Sequence, residues 1–150
     1  MKYFDEIKKS MDWLNTKSDT LFLGQAVEYD GTAMTRTLRD VDASKKLEMP
    51  VNEEMQTGIT LGMALNGTVP ISIYPRWNFL LLGANQLVNH IDKIKVMSSG
   101  GYTPKIIIRT SIGSQRPLHP QHQHIADLTG GFRAMCDTID IIRLDEPYQI

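Results

Sequence analysis

A single cysteine, Cys136, stands in 150 residues, so no internal disulfide framework holds the fold. That usage fits a reducing, cytoplasmic setting. No excess of one charge is present: 16 basic residues against 17 acidic leave a formal net charge of -1 at pH 7. Without a basic block, the electrostatic footprint of a nucleic-acid binder is missing. A long hydrophobic run is lacking too. The richest uncharged stretch, Trp77 to Ile91, contains three asparagines and a glutamine and does not read as a membrane span. The opening segment MKYFDEIKKSMDWLN is broken by charges and has no apolar centre of the kind a signal peptide needs. What remains is a chain of one-domain size, expected to be soluble and intracellular, with neither nucleic acid nor membrane as partner.

Apolar residues at Phe4, Ile7, Met11 and Leu14 recur at helical spacing and predict an amphipathic first helix. TLFLG, Thr20 to Gly24, is short, apolar and closed by glycine, as a buried strand would be. A polar region follows from Tyr29 to about Lys46. LEMPV is then extended, because a residue before proline is biased away from helix. Asn52 is the expected N-cap of a helix running to about Leu65, with Asn66-Gly67 ending it. VPISIY predicts a strand stopped by Pro75, and one long helix is expected from about Asn78 to Met97, closed by SSGG. KIIIR, Lys105 to Arg109, reads as a buried strand, and IDIIRL, Ile139 to Leu144, as the last one. Strands alternating with helices predict an α/β fold: three layers, with a mainly parallel sheet flanked by helices. Neither an internal repeat nor an interdomain linker is present.

Ligands gather where the strands of such a sheet end. Three segments could meet there: the 50–54 junction, the turn YPRWNF at 74–79, and the loop 110–124. Glu53 is open to two readings. It is a solvated first-turn acid favoured by the helix dipole, or a desolvated carboxyl, flanked by Val51 and Met55, that shares a proton. Tyr74, Trp77 and Phe79 serve either as core or as a flat wall for a heteroaromatic ring. His119, His122 and His124 invite a metal reading, but no Cys-x-x-Cys, His-Glu-x-x-His or carboxylate cluster accompanies them. One of them acting on a proton or an anion is the better functional use, and a plain solvated loop is the alternative. SSGG, and TGG at Thr129 to Gly131, lack phosphate-loop spacing and read as helix stops.

Taken together, these pieces resemble the pyrimidine-binding domain of thiamine-diphosphate enzymes in the transketolase superfamily. The similarity extends to the beta subunits of 2-oxoacid dehydrogenase first components. Pro50-Val51-Asn52-Glu53, with Gly58 and Gly62 beyond, matches the family's proline, catalytic glutamate and spaced glycines. YPRWNF and NQLVN, Asn85 to Asn89, resemble its aromatic turn and DQ-x-x-N helix. MSSGG, KIIIR and PQHQH resemble its Met-Ser-Gly-Gly element, its strand ending in arginine and its QHSQ motif.

The resemblance implies that Glu53 hydrogen-bonds a ring nitrogen of the cofactor's aminopyrimidine and promotes its activation. It places Phe79 and Pro75 against the pyrimidine and His122 on the substrate side. The implied cofactor is thiamine diphosphate, acting on a 2-oxo acid or ketose as the small-molecule substrate. Residues 1–150 would form a single pyrimidine-binding domain. The Gly-Asp-Gly…Asn signature that holds magnesium and diphosphate is absent, as is the family's C-terminal domain. The expectation is therefore a homo- or hetero-oligomer with a separately encoded diphosphate-binding subunit, the chain being incomplete alone. Where the family has Gly-Glu-Asp-Val, this chain has Gly24-Gln25-Ala26-Val27, two acids fewer. QHSQ has become Gln121-His122-Gln123-His124. These departures leave an alternative, a non-catalytic assembly or regulatory subunit that keeps the fold.

Overall fold

A computed structural model of the chain describes residues 2–116 and 118–150. Helix α1 (Tyr3–Asn15) buries Ile7 and Met11, one turn apart on one stripe, and leads into strand β1 (Thr20–Gly24). The polar region that follows is locally capped. The Thr32 hydroxyl accepts from the Thr35 N–H at the start of α2 (Ala33–Arg36), and Asp42 accepts from Ser44 N–H before a 3-10 turn, Ala43–Lys45. Strand β2 (Lys46–Glu48) follows directly. Helix α3 (Glu53–Leu65) is capped by Asn52, whose side chain accepts from the Met55 N–H at 2.9 Å. Asn66 and Gly67, the latter at φ +90°, end it. Beyond β3 (Val69–Ile73) come α4 (Trp77–Leu80), α5 (Ile94–Met97), β4 (Ile107–Arg109) and α6 (Thr129–Met135).

All four strands pair in parallel, in the order β2-β1-β3-β4. Their register sorts the side chains onto two faces. Phe22, Ile71 and Ile73 face α1 and the 27–41 segment, where Ile7, Met11, Val27, Met34, Leu38 and Val41 complete one apolar cluster. Ser72 and Ile108 share the opposite face, against α3 and the 77–91 segment, where Tyr74, Trp77, Leu80, Leu87 and Phe132 form the second cluster. Trp77 and Phe132 stack there with ring centroids 5.0 Å apart. The expected three-layer α/β fold with a parallel sheet is what the chain forms.

Four expectations need correction. The long helix at 78–97 is a helical path of changing pitch: α4, a 3-10 turn at Leu81–Gly83, a π turn at Gln86–Ile91 and then α5. Close packing on α3 accounts for the first break, since a Cβ at Gly83 would lie 2.3 Å from the Thr57 hydroxyl. KIIIR is an edge strand with partly exposed residues rather than a fully buried one. IDIIRL joins no ladder. Its carbonyls are taken by side chains instead, Ile141 by Arg133 Nε and Leu144 by the Tyr3 hydroxyl, both at 2.9 Å. Finally, TGG opens α6 rather than stopping a helix.

The π turn returns the Asp92 N–H to the Leu87 carbonyl at 2.9 Å and brings the Asp92 side chain fully inside. There the carboxylate accepts from the N–H groups of Asp137, Thr138 and Ile139, at 2.7–3.1 Å, and pairs with Lys93 at 2.8 Å. Burial alone would raise its pKa. Lys93 and the donors of Asp137 and Thr138 outweigh that and hold the carboxyl well below the usual range. Replacing Asp92 with alanine leaves these part-buried donors without their acceptor and is expected to cost about 1–3 kcal/mol. Because the folded value is depressed, the ionic part of this stabilisation is complete above the unfolded value of about 4 and fades as pH falls toward the folded one. Denaturant titrations of wild type and Asp92→Ala should therefore differ most near neutrality and converge in acid.

Candidate functional site

After β1 the chain crosses the α1 side of the sheet, whereas after the neighbouring strand β3 it crosses the α3 side. Adjacent strands whose connections leave on opposite faces open a crevice at their carboxyl ends. Gly24-Gln25 and Tyr74-Pro75 sit at those two ends, and Glu53 begins the helix that follows β2. The close approach is steric: a Cβ at Gly24, where φ is +143°, would lie 2.1 Å from the Ile73 carbonyl oxygen.

Glu53 is only 4% exposed. Its burial does not come from the expected neighbours, since Val51 is 81% exposed and Met55 also faces outward. It comes from the loop after β1 and from a polar seam between α3 and β3. Gln25 Nε2 donates to Glu53 Oε1 at 3.1 Å. The Thr57 hydroxyl hydrogen-bonds the Glu53 carbonyl at 2.7 Å and the Tyr74 hydroxyl at 2.6 Å. Burial raises the Tyr74 phenol above its ordinary value; the Thr57 and Ser72 hydroxyls oppose this, and the charge of Glu53 adds to it. One helical turn on, Gln56 Nε2 donates to Ser72 Oγ and to the Ile73 carbonyl, and Thr60 Oγ1 donates to Ser72 Oγ. No ion pair among the described residues involves Glu53. The helix N-terminus is its electrostatic support.

The loop carrying Gln25 is itself pinned. Glu48, at the end of β2, accepts from the consecutive N–H groups of Ala26, Val27 and Glu28, each at 2.8 Å. Ala26 takes the left-handed backbone, φ +57°, that this turn requires.

On the β3 side, the 74–79 turn is stitched to the 109–124 segment. Tyr74 N–H donates to the Arg109 carbonyl, Trp77 N–H to the Ser111 carbonyl, and the Ser111 hydroxyl to the Pro75 carbonyl at 2.6 Å. Phe79 is half-buried, and the ring it faces is that of His124, with centroids 5.5 Å apart. His122 is exposed, edge-on to His119 at 5.9 Å. Arg109 lies on the other face, where its guanidinium donates to Thr37 Oγ1 at 2.7 Å and burial pushes it down to about 10.

Among the described residues, three buried polar atoms in this turn and loop lack a partner: Asn78 Oδ1, Thr110 Oγ1 and His124 Nδ1. Buried polar atoms are rarely left so in a folded protein, and a polar ligand is one means of satisfying them. The polar and aromatic groups in this part of the fold are a buried carboxyl, the half-buried Phe79 and these unpaired atoms. Among the described residues no group of three or more histidine, cysteine or acidic side chains is placed to hold a metal ion.

Reading the residues in order missed Gln25, Glu48, Thr57 and Tyr74 as a connected set. Tyr74 was legible as an aromatic at the ligand-binding edge and Gln25 as a departure in the motif after β1. Pairing across the sheet joins the rest.

No family model matches the chain. It is similar to pyruvate dehydrogenase E1 component subunit beta of Porphyra purpurea, 28% identical over 150 residues, covering 97% of this chain and 44% of the relative. The same-named protein of Gracilaria tenuistipitata var. liui is 27% identical over 150 residues, covering 97% and 45%. The mitochondrial one of Drosophila melanogaster is 28% identical over 122 residues, covering 79% and 33%. The resemblance read from the motifs thus holds over nearly the whole chain, which spans less than half the length of these curated relatives.

Glu48→Ala would leave three N–H groups of the 26–28 loop without their acceptor. Amide hydrogen exchange at Ala26, Val27 and Glu28 is expected to accelerate roughly 10- to 100-fold, corresponding to about 1–3 kcal/mol of lost hydrogen bonding. Unchanged protection would show that the loop is held by other contacts.

Proposed function

We propose that the chain is the pyrimidine-binding part of a thiamine-diphosphate-dependent 2-oxoacid dehydrogenase. In this reading a separate subunit supplies the diphosphate and magnesium site. The observation that carries it is Glu53: a carboxyl at a helix N-terminus and a sheet switch point, almost fully buried, with no cationic partner among the described residues. Such a group is costly to maintain unless a ligand uses it. The similarity to pyruvate dehydrogenase beta subunits supports the same reading.

Thiamine diphosphate, when bound, supplies carbanion chemistry beside a substrate carbonyl. Glu53 would hold the proton shared with a pyrimidine ring nitrogen. Phe79 and Pro75 would wall the ring, and His122 would manage protons or a carboxylate on the substrate side. Exclusion of water by the Tyr74–Thr57 seam would strengthen each of these contacts.

The expected oligomer finds support in apolar side chains left outside. Leu80 and Leu87 are buried, but Leu82 is 64% exposed, and Leu81, Met55 and Ile59 join it in facing outward. A partner subunit would cover them. None of the helices among the described residues is long and apolar enough to cross a membrane. The lone cysteine is consistent with a cytoplasmic location.

Calorimetry with thiamine diphosphate and magnesium tests this. Binding is expected for the complex that co-purifies with the chain, and not for the chain alone. In that complex Glu53→Gln should lower turnover at least about 100-fold, the usual scale for a lost proton-transfer group. Turnover near wild type would refute the role of Glu53. Cofactor binding that is indifferent to the substitution, in a complex without turnover, would instead favour an assembly subunit.

A further inference from the structure

We propose that Gln25 is a positioning residue for Glu53: its amide fixes one carboxylate oxygen and leaves the other to the ligand. The idea rests on the functional reading above only for the identity of that ligand. The contact itself is the Gln25 Nε2 to Glu53 Oε1 hydrogen bond of 3.1 Å. No hydrogen bond among the described residues reaches Glu53 Oε2, so the two oxygens are inequivalent before anything binds.

The geometry around Gln25 is set from three directions. Gly24 brings the end of β1 against the Ile73 carbonyl, closer than any other residue could come. The Gly24 carbonyl accepts from the Met49 N–H at 2.8 Å, tying the same point to the end of β2. Beyond Gln25, Glu48 holds three successive N–H groups, and the Thr35 hydroxyl donates to the Ala26 carbonyl at 2.8 Å. A side chain launched from so constrained a backbone delivers its end group to a fixed place, which is what a first contact to a reacting carboxylate requires.

Residue type matters as much as place. An ionised carboxylate only accepts, so the group facing it must donate, and an amide donates without carrying charge. A carboxyl at position 25 would face Glu53 acid to acid, and the pair would have to share one proton. An asparagine would be one methylene short of reaching from the same backbone. A methionine would fill the space and donate nothing. The amide thus orients Glu53 where it has no cationic partner among the described residues, and leaves its second oxygen without a hydrogen bond among them.

The test uses the full chain with 13C-labelled glutamate carboxyls and needs neither cofactor nor partner. The Glu53 resonance is identified by its loss in Glu53→Gln. In Gln25→Met, the Glu53 signal at pH 7 should shift while those of Glu6, Glu28 and Glu146 stay in place. In Gln25→Glu, the Glu53 and residue-25 signals should titrate as a coupled pair, in two steps that neither carboxyl shows alone. Either variant alone decides if the other fails to fold, with far-ultraviolet circular dichroism reporting the fold. A Glu53 signal indifferent to residue 25 in a folded variant would overturn the proposal. Failure of the complex to bind thiamine diphosphate, with these shifts observed, would overturn the functional reading and leave Gln25 in its role.

Discussion

A polar seam joins α3 to β3, and the candidate site depends on it. Helices usually bury their apolar stripe, but α3 turns Glu53, Gln56, Thr57 and Thr60 inward and leaves Met55 and Ile59 partly outside. Burial of that kind is held by hydrogen bonds among the groups, with Gln56 Oε1 left unpaired among the described residues. Ser72 on β3 takes Gln56 and Thr60, the Ile73 carbonyl takes the Gln56 amide, and Tyr74 takes Thr57. Position along α3 is thereby locked to position along β3. With it, the first residue of the helix is locked to the carboxyl end of the sheet.

Three acids near this frame illustrate how surroundings separate structure from chemistry. Glu48 and Asp92 each collect a set of backbone N–H groups, and each pins a loop that would otherwise be free at one end. Their acceptor capacity is largely used, and they read as fasteners. Glu53 is nearly as deeply placed as Asp92 but, among the described residues, its carboxylate accepts a single hydrogen bond, from Gln25. A carboxylate kept from water with lone pairs to spare is arranged for a partner outside the chain. Glu54, the next residue, is a contrast of another kind: it meets the Asn85 and Gln86 amides on the surface.

The aromatic turn and the histidine loop complete the other side. Their backbones are stitched together by Tyr74, Trp77 and Ser111, so the loop is part of the frame despite its irregular path. Within it the motif resemblance points to His122, whereas the ring that meets Phe79 belongs to His124. Two positions along a turn exchange an exposed imidazole for one whose Nδ1 is enclosed. Leu81 and Leu82 are exposed on the same segment that packs against α3.

Local chemistry was enough to determine several elements from sequence. Asn52 and Asn66-Gly67 bound α3 because a cap and a left-handed stop act within one turn of chain. Apolar runs closed by glycine or proline located β1 and β3, and alternation with helices implied the parallel sheet. The motif order around Pro50 and Glu53 carried the family resemblance. What depended on distant partners was decided only by tertiary structure. IDIIRL has strand-like composition yet pairs with no strand, its carbonyls meeting Arg133 and the Tyr3 hydroxyl instead, and the helical path at 77–97 changes pitch where Gly83 meets α3 and Asp92 turns inward. Glu53 and Gln25 lie 28 residues apart, and their contact exists because β1 ends and α3 begins at one edge of the sheet. Caps, turns and periodicity are short-range and legible in order; the environment of a carboxylate is a sum over residues that only folding brings together.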